Sequence, residues 1–400
     1  MNKPVYIAAY NQSKFGKLMA MTVPQIVRNA IESVCRQINV TPAAIDVGSI
    51  GAACNFTLNH QGLLSGLMAM TPGMESKPME MVENACASGG QAVLSVIQKL
   101  QLGWGDTGVA LGYEKMRDNE GKMDGKLIGE VLGYFSFPDE REGKVFVFPH
   151  LFAEIMRDYM REYGVTEEQL AQIAVCEYGN AKYNPCAQMN KVQITLDQAM
   201  KIEGINKYIV DGLPLKTYDC SQITDGYAAL IVATEEGLQK LGVAKADCVE
   251  IAGYAQATDP LQKEGRNTLH PTGAYTAMKK AYDMAGAKPA DVNVAEIHDC
   301  FTIAAAVGTE IIGKAAPGKG ARYWVDGKAA VDGECGINLS GGLIAKGHPV
   351  GATGVAMLGN CFWQLKGKAP KETQRKDANV AATFNIGGAL CASVCTVLRN

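Results

Sequence analysis

Apolar and polar positions alternate with strand-like and helix-like periods along this chain, and the alternation occurs twice in the same order. The runs VYIAAYNQSKFG near residue 5 and VEIAGYAQATD near residue 249 each predict a strand. Amphipathic helices follow in VPQIVRNAIESVCRQI and in GAYTAMKKAYDMAGA, where apolar residues recur at helical spacing. Because the two strands and the two helices match in order, the pattern indicates an internal duplication.

The duplication continues into the segments after these helices. Setting Pro42 on Pro289 brings Val47 onto Val294, within apolar runs that predict buried strands. Each half then reaches a glycine-rich helix entry and a further strand-like run. Apolar strands that alternate with helices predict an α/β fold made of two similar βαβ-rich halves with largely buried sheets.

A more polar segment separates the two halves. It carries helical patches, among them TEEQLAQIAVCEYGNAKYN, which begins with a threonine cap and an acidic first turn. The predicted domains are a first half of residues 1–115 and 220–247, an insertion of residues 116–219, and a second half of residues 248–400. An insertion on a symmetric core often forms a substrate lid or a binding domain.

Composition narrows the class of protein. Hydrophobic residues make up 47% of the chain and charged residues 20%, as in well-packed α/β proteins and unlike disordered or fibrous chains. A net charge of −3 and a pI of about 6.0 argue against nucleic-acid binding. The most apolar stretch, GLLSGLMAM, is far shorter than the roughly 20 residues of a membrane span, so no membrane partner is expected.

Cysteine usage bears on compartment and metal binding. Twelve cysteines are scattered along the chain, and the N-terminal run has no charged start followed by a long apolar region. We therefore expect a cytoplasmic protein whose cysteines are free thiols. No pair of CxxC units occurs, so the sequence predicts no metal site.

Cys86 stands just before a predicted helix, in the stretch VENACASGGQAV. Ser88 and the glycines after it indicate the helix entry, and helical spacing continues until Gly103. Unpaired N–H groups and the helix dipole at such an end favour a thiolate over a thiol, which would make Cys86 a nucleophile. The alternative is a small buried apolar residue, since free cysteine is among the most buried residue types.

Further candidate reactive side chains lie at the ends of second-half elements, at positions where the first half carries none. The second-half strand ends in EIHDCFT, which contains His298 and Cys300, whereas its first-half match ends in SIGAACN. His348 lies in the loop AKGHPVGATG, which suits close approach of the backbone to a ligand better than core filling. Equivalent strand and helix ends meet at the carboxyl edge of such sheets, so Cys86, His298, Cys300 and His348 are expected to converge.

Structural roles remain possible for two of these residues at this point. His298 could be a buried imidazole with satisfied hydrogen bonds, and Cys300 could be a core residue beside Phe301. The other histidines lack comparable settings and are interpreted as surface, lid or structural residues: His60, His150 and His270.

Four motifs in order, NACASGG, HDCF, GGLIAKGHPVGATG and NIGGAL, resemble those of the thiolase superfamily, and specifically thiolases of the sterol-carrier-protein-2 type. The resemblance covers essentially the whole chain. It implies the α/β thiolase fold, in which two pseudo-symmetric halves form five layers, α-β-α-β-α, with an inserted lid that meets coenzyme A.

The second cysteine of the reaction is placed by comparison with more familiar thiolases. Those enzymes carry Asn-Glu-Ala-Phe at the position of HDCF and an acid/base cysteine in a Cys-x-Gly loop near the C-terminus. Here that loop reads NIGGALC, so the resemblance implies Cys300 instead. Cys391 and Cys395 are poor replacements because they follow the glycine pair, inside the predicted last strand.

The resemblance implies a role for each site residue. Cys86, activated by His348 and its helix end, would attack an acyl-CoA thioester and hold the acyl group. Cys300 would be the general acid/base at the α-carbon of a second acyl-CoA. His298 and His348 would form one oxyanion hole, and the backbone N–H groups of Cys86 and Gly388 the other.

Partners and cofactors follow from the same resemblance. Coenzyme A and acyl-CoA would be substrates, with no permanently bound cofactor, and a homodimer would form through the core sheets. The segment GLPLKTYDCSQITDG looks like that of bacterial and archaeal thiolases that act with a small zinc-ribbon and OB-fold partner subunit, some on aromatic thioesters such as benzoylsuccinyl-CoA. Few basic residues in the insertion for the phosphates of coenzyme A would fit such a partner.

Two other functions remain open at this point. A decarboxylating ketoacyl synthase of the same fold uses one cysteine and two histidines, and it would not need Cys300. A non-catalytic acyl-CoA or lipid-binding subunit on the same scaffold is a second possibility, against which all four catalytic positions carry competent residues. The acyl chain and the physiological direction of the reaction stay open as well.

Overall fold

A computed structural model describes residues 3–18, 20–118 and 120–400 of the chain, and its elements alternate largely as predicted. The strands are β1 (Tyr6–Gln12), β2 (Val47–Gly51), β3 (Met79–Val82), β4 (Thr107–Glu114), β5 (Gly226–Ala233), β6 (Val249–Thr258), β7 (Val294–Ile297), β8 (Gly336–Ile337), β9 (Val380–Gly387) and β10 (Ala392–Arg399). The helices are α1 (Val23–Arg36), α2 (Asn55–Leu58), α3 (Leu64–Ala69), α4 (Ser88–Gln101), α5 (Gly125–Gly133), α6 (Pro138–Arg141), α7 (Val147–Tyr163), α8 (Glu167–Ala181), α9 (Leu196–Met200), α10 (Glu235–Leu241), α11 (Thr272–Ala285), α12 (Thr302–Ile311), α13 (Gly320–Val325) and α14 (Thr353–Leu365).

The ten strands form two halves of identical topology. Hydrogen-bonded neighbours follow the order β3-β2-β4-β5-β1-β6-β10-β9-β7-β8, so outward from the centre the halves are β1-β5-β4-β2-β3 and β6-β10-β9-β7-β8. In each half the fourth strand of that order is parallel to its two neighbours, and the other pairings are antiparallel. This correspondence confirms the predicted duplication.

The halves meet along a short seam and across a shared helical layer. The seam is two residue pairs between β1 and β6, Tyr6 with Glu250 and Ile7 with Val249. Helices α4 and α14 lie between the halves, and their apolar residues share one core cluster with inward-facing residues of both sheets. That cluster includes Val93, Ile97, Ala110, Leu230, Val355, Leu358, Val394 and Leu398.

Outer helices complete the layers. On the first half, α1 packs its apolar face onto the strands through a cluster that includes Ile26, Ile31, Val109 and Ile231. On the second half, α11, α12 and α7 cover the opposite face. The sequence of layers is therefore α-β-α-β-α, the arrangement expected of the thiolase fold.

Close approach of backbone at the entries of the central helices explains why the first-half strand ends lack the polar side chains of their second-half counterparts. The duplication matches Gly51 to His298, and the strand register then matches Gly112 to Asn385. A Cβ at Gly51 would lie 2.3 Å from the carbonyl oxygen of Ser88, and one at Gly112 would lie 2.2 Å from that of Gly351. Backbone occupies the space in the first half that side chains fill in the second.

The insertion contains α5 to α9 and a 3₁₀ turn at Thr217–Asp219. Its helix α8 begins after Thr166, whose hydroxyl accepts from the N–H of Gln169 as the predicted cap requires. The predicted domain limits at residues 116 and 219 stay a prediction. Within the described ranges, every helix is too short or too polar to cross a membrane.

Candidate active site

Cys86 lies in the turn between β3 and α4, two residues before the helix begins. His298 directly follows β7, and His348 precedes α14. The Cys86 sulfur and one ring nitrogen of each histidine lie within 4.8 Å of one another. The two imidazole rings are nearly perpendicular, with centroids 5.0 Å apart. These three predicted residues therefore converge, although they come from distant parts of the chain.

Thr353, in the first turn of α14, sets the tautomer of His348. Its hydroxyl donates to the carbonyl oxygen of Pro349 at 3.1 Å, which leaves a lone pair to accept from Nδ1 of His348 at 2.7 Å. Nδ1 then carries the proton, and Nε2 is the free base. His348 can thus take a proton from the Cys86 thiol.

Asn385 sets the opposite tautomer in His298. Its amide nitrogen lies 3.0 Å from Nδ1 of His298 and donates to the carbonyl oxygen of Cys86 at 3.1 Å. Because the amide N–H donates to Nδ1, the proton of the neutral ring is on Nε2. His298 is consequently a hydrogen-bond donor, and His348 an acceptor.

The loop that carries Cys300 is fixed by backbone hydrogen bonds. The His298 N–H donates to the carbonyl oxygen of Phe384 at 2.9 Å, and the Ser221 N–H donates to that of Cys300 at 2.9 Å. Cys300 is 7% exposed, and it lines the same cavity as Cys86 and His348. All four predicted catalytic residues therefore belong to one site.

Burial keeps both thiols protonated at rest. It raises the pKa of Cys86 to about 12, with smaller contributions from Glu114 and Glu83. It also raises the pKa of Cys300 well above its usual value, and the neighbouring Cys86 and Asp299 add to the effect. The expected preference for a thiolate at the α4 end is therefore outweighed by desolvation in the free protein.

The histidines are neutral for the same reason. Burial lowers the pKa of His348 to about 3. The pKa of His298 falls well below its usual value through burial and, secondarily, through His348. A neutral thiol beside a neutral imidazole can react by proton transfer as the substrate is attacked, without a preformed ion pair.

The backbone N–H groups of Cys86 and Gly388, which are predicted to form an oxyanion hole, belong to residues that line one cavity. Gly388 lines the cavity together with Cys86, in a left-handed conformation with φ of +65° that glycine adopts without strain. Among the described residues, the hydrogen bonds of turns and loops include none donated by either N–H group. N–H groups that no backbone carbonyl engages in a buried site can stabilise a developing oxyanion.

The cavity of about 310 Å³ in front of these residues is strongly apolar. The core loops contribute Cys86, Cys300, Phe301, His348, Val350 and Gly388. Residues 220–223, just after the insertion, also line the cavity. Most of the remaining wall comes from the insertion itself: Met116, Ile128, Gly129, Leu132, Phe146, Phe148, Pro149, Phe152 and Ile209. The insertion therefore covers the site, as expected of a lid.

The remaining histidines and C-terminal cysteines lie apart from this cavity. His60 and His270 are exposed, and Nδ1 of His150 lies 2.9 Å from the carbonyl oxygen of Phe146. Cys391, which directly precedes β10, donates its S–H to the carbonyl oxygen of Asp259 at 3.0 Å, and Cys395 is fully buried within that strand. Within the described part of the chain, Cys86, His298 and His348 form the one grouping compact enough for a metal, and the hydrogen bonds above suit it to proton transfer.

Comparison with known families decides what this arrangement is. Residues 5–236 match the description "Thiolase, N-terminal domain", and residues 255–400 match "Thiolase C-terminal domain-like". The chain belongs to the thiolase family. Its activity is that of a thiolase, an acyltransferase acting on thioesters of coenzyme A.

Proteins from several lineages are similar to it along their sequences. Acetyl-CoA acetyltransferase of Methanothermobacter thermautotrophicus is 33% identical over 389 residues, which cover 96% of this chain and 97% of that protein. Sterol carrier protein 2 of Bos taurus is 29% identical over 96% of this chain and 70% of its own length. The benzoylsuccinyl-CoA thiolase subunit BbsB of Thauera aromatica is 28% identical over 97% of this chain and 96% of its own.

Solved structures agree on the fold. The Ltp2-ChsH2(DUF35) aldolase superposes with a TM-score of 0.80 at 20% identity, covering 99% of this chain and 97% of that one. The Acat5 thiolase from Ascaris suum, solved in complex with coenzyme A, gives a TM-score of 0.72 at 18% identity and covers all of both chains. The predicted thiolase fold is confirmed.

Three residues of this thiolase site were missed by the sequence analysis. Asn385 and Thr353 set the histidine tautomers, and Glu114 accepts from the N–H groups of loops in both halves. Asn385 opens the motif NIGGAL, and Thr353 lies in GATG. Only their positions within these motifs could have indicated Asn385 and Thr353, whereas Glu114 lies in none of the quoted motifs.

Proposed function

We propose that this thiolase cleaves a β-oxoacyl-CoA with coenzyme A, or runs the reverse Claisen condensation, through an acyl group held on Cys86. The observation that carries the proposal is the convergence of the Cys86 sulfur with His298 and His348 in a cavity that Cys300 also lines. One thiol has a base beside it, and the other remains for the second proton transfer.

In the first half-reaction, Nε2 of His348 takes the Cys86 proton as the sulfur attacks the β-carbonyl carbon. The oxygen of the tetrahedral intermediate lies in the hole formed by the N–H groups of Cys86 and Gly388. Collapse breaks the bond between the α- and β-carbons and leaves the acyl group on sulfur. The departing enolate takes a proton from the Cys300 thiol.

The enolate oxygen lies between the two histidines. His298 donates to it from Nε2, as the Asn385 hydrogen bond requires, and His348 donates from the proton that it has just received. In the second half-reaction, the Cys300 thiolate takes the proton of the coenzyme A thiol, whose sulfur attacks the acyl-cysteine and releases the shortened acyl-CoA. The Cys86 sulfur then recovers its proton from His348. Loss of one oxyanion donor typically costs about 3–4 kcal/mol in the barrier.

We propose that the acyl group is bulky and apolar. The cavity wall carries Phe146, Phe148, Phe152 and Phe301, with Ile128 and Leu132 beside them. An acetyl group would fill little of about 310 Å³, whereas a branched or aromatic acyl group would bury its surface there. The similarity to a benzoylsuccinyl-CoA thiolase subunit agrees with this class of substrate.

A basic depression next to the acyl cavity is a candidate for the phosphates of coenzyme A. It has a volume of about 300 Å³, and Lys126, Arg141 and Lys144 line it together with Glu130. Gly129 lines both this depression and the acyl cavity, so one ligand can extend from one into the other. The insertion was expected to offer few basic residues to coenzyme A, and three line this depression. Three cations are still few for the three phosphate groups of coenzyme A.

Association with other chains is proposed on two grounds. Strand β3 lies at one end of the strand order, so its open edge can pair with a second copy of this chain, in line with the proposed homodimer. One relative is named a thiolase subunit, and the aldolase neighbour contains a DUF35 chain, which support a small zinc-ribbon and OB-fold partner. The free cysteines suit the proposed cytoplasmic location.

Exchange of the α-protons of acetyl-CoA in D₂O tests the roles assigned to the two thiols. The wild-type protein is expected to catalyse exchange, and Cys300→Ala is expected to lose it while Cys86 still accepts an acyl group. Cys220→Ala is the matched control, because Cys220 lines the same cavity but has no role in the mechanism. Exchange that survives in Cys300→Ala would contradict the assignment and favour a synthase that does not use this thiol.

A further inference from the structure

A second cluster of buried polar side chains lies behind the site, where helix α8 of the insertion meets the catalytic loops. Glu177 of α8 and Asp299, between the two catalytic residues of HDCF, are both fully buried, and their carboxyl groups are in hydrogen-bond contact. They leave no room for a side chain at Gly342, where a Cβ would lie 2.2 Å from Oδ2 of Asp299 and 2.7 Å from Oε1 of Glu177.

Asp299 joins the two catalytic loops. Both of its oxygens accept from the N–H of Leu343 at 2.8 Å, and Oδ2 also accepts from the N–H of Ile344 at 3.0 Å. These N–H groups begin a π-helical turn, Gly342–Lys346, which leads directly into the loop of His348. Displacement of Asp299 would therefore move residues 298–300 and the His348 loop relative to each other.

Glu177 is the member of the pair that holds the proton. Its Oε1 accepts from the side-chain amide of Asn338 at 2.8 Å, whereas no donor of the described residues reaches Oε2. Asp299, in contrast, receives three backbone hydrogen bonds that stabilise its negative charge. Two adjacent buried carboxyl groups cannot both ionise at moderate cost, so one proton held by Glu177 and donated to Asp299 satisfies both.

We propose that Glu177 is a positioning residue of this thiolase: as a carboxylic acid it donates to the Asp299 carboxylate and holds residues 298–300 against the turn that leads to His348. The proposal rests on the proposed function and extends it to the insertion. Asn338 strengthens the same link, since its Oδ1 accepts from the N–H of Ile297 at 2.8 Å, at the end of β7. The lid and the catalytic loop are thereby tied by side chains.

Electrostatics agree with this assignment. Burial, and then Asp299, raise the pKa of Glu177 well above its usual value. Burial also raises the pKa of Asp299, but hydrogen bonds from Glu177 and from the turn oppose that rise. The other titratable groups facing the pair are the thiols of Cys176 and Cys300 and the buried ion pair of Lys346 with Glu296, whose charges balance at 3.3 Å.

Two variants at one position separate positioning from simple structural support. In Glu177→Gln, the amide oxygen can accept from Asn338 and the amide nitrogen can donate to Asp299, so kcat should stay within about twofold of the wild type. In Glu177→Ala both bonds are lost, and kcat should fall on the order of 100-fold through misplacement of the catalytic groups, with KM little changed. Glu310→Gln in α12 is the control, because Glu310 is a buried carboxyl bonded to Tyr159 and Gly320, away from the site.

The dependence of unfolding on pH supplies a readout that does not need activity. Because its pKa is raised in the folded state, protonated Glu177 contributes to the stability of the protein, and that contribution is lost as pH rises toward the raised pKa. The wild-type melting temperature should therefore fall more steeply above neutral pH than that of Glu177→Gln. Glu310→Gln should keep the wild-type dependence above neutral pH. This comparison still decides the question if Glu177→Ala does not fold.

The proposal is overturned if Glu177→Gln loses as much kcat as Glu177→Ala, or if it keeps the wild-type loss of stability at alkaline pH. Failure of the wild-type protein to accept any acyl group on Cys86 would instead contradict the proposed function, and the melting comparison would still test the pair of carboxyl groups.

Discussion

At the scale of single residues, two hydrogen bonds decide what each histidine can do. Thr353 leaves Nε2 of His348 without a proton, and Asn385 leaves Nε2 of His298 with one. Burial of both rings keeps them neutral, so their roles depend on these tautomers and not on charge. The site therefore has a base and a hydrogen-bond donor that are both histidine side chains.

Replacing Thr353 by valine should slow acylation of Cys86. Valine has the shape of threonine but cannot accept from Nδ1, so His348 loses the bond that orients it and fixes its proton. We expect the acylation rate measured by rapid quench to fall by about 10- to 100-fold, with Thr353→Ser restoring most of it. A Thr353→Val protein that acylates at the wild-type rate would show that the tautomer is set in another way.

The sequence predicted four reacting side chains, because each lies in a distinctive glycine-rich or strand-end motif. It missed the residues that orient them, because Asn385 and Thr353 act through hydrogen bonds that exist only after distant segments meet. It also overestimated the helix-end effect on Cys86, since periodicity does not report how deeply a thiol is buried. Desolvation is a property of the folded site.

At the scale of elements, close packing of the central helices against the strand ends shapes the site. Helix α4 and the 3₁₀ turn Val350–Ala352 before α14 approach the first-half strands so closely that glycine is required where the second half carries His298 and Asn385. Element order and the duplication could be predicted from periodicity, whereas the short strands β3 and β8 could not. Those two strands have four and two residues, too few for an alternating pattern.

Gly112→Ala tests this contact between elements. The added methyl group would lie 2.2 Å from the carbonyl oxygen of Gly351 and 2.9 Å from Cα of Ala352, and backbone atoms cannot rotate away. We expect a loss of about 1–3 kcal/mol or more in the free energy of unfolding, measured by chemical denaturation.

Gly179→Ala in α8 is the control, because a Cβ there meets no atom within 4 Å and alanine favours the helix. An unchanged stability of Gly112→Ala would mean that the turn before α14 does not approach β4 this closely.

At the scale of the whole molecule, Glu114 connects the two halves. Its carboxyl group accepts from the N–H groups of Ala53 and Cys54 in the first half and of Gly351 in the second, at 3.0–3.1 Å. Burial raises its pKa to about 7, although the three hydrogen bonds oppose the shift. The junction between the halves is therefore sensitive to pH near neutrality.

Stability should consequently fall as pH rises from about 4.5 through 7. A folded pKa above the unfolded one means that the folded protein holds this proton more tightly, and the contribution present at low pH is lost as the group ionises. For a shift from 4.5 to about 7, the contribution is about 3 kcal/mol. Chemical denaturation at pH 5 and pH 8 measures it, and Glu114→Gln should show a smaller difference. Equal differences in the two proteins would contradict this role.

The central claim is that Cys86 carries the acyl group, and mass spectrometry of the intact protein tests it most directly. The protein would be incubated with acetyl-CoA and with a panel of branched and aromatic acyl-CoA thioesters, alongside Cys86→Ala and Cys300→Ala. We predict one acyl adduct on the wild-type protein and on Cys300→Ala, none on Cys86→Ala, and the largest fraction with a bulky apolar acyl group. An adduct that persists in Cys86→Ala, or none with any thioester even when a co-purified partner chain is present, would contradict the account.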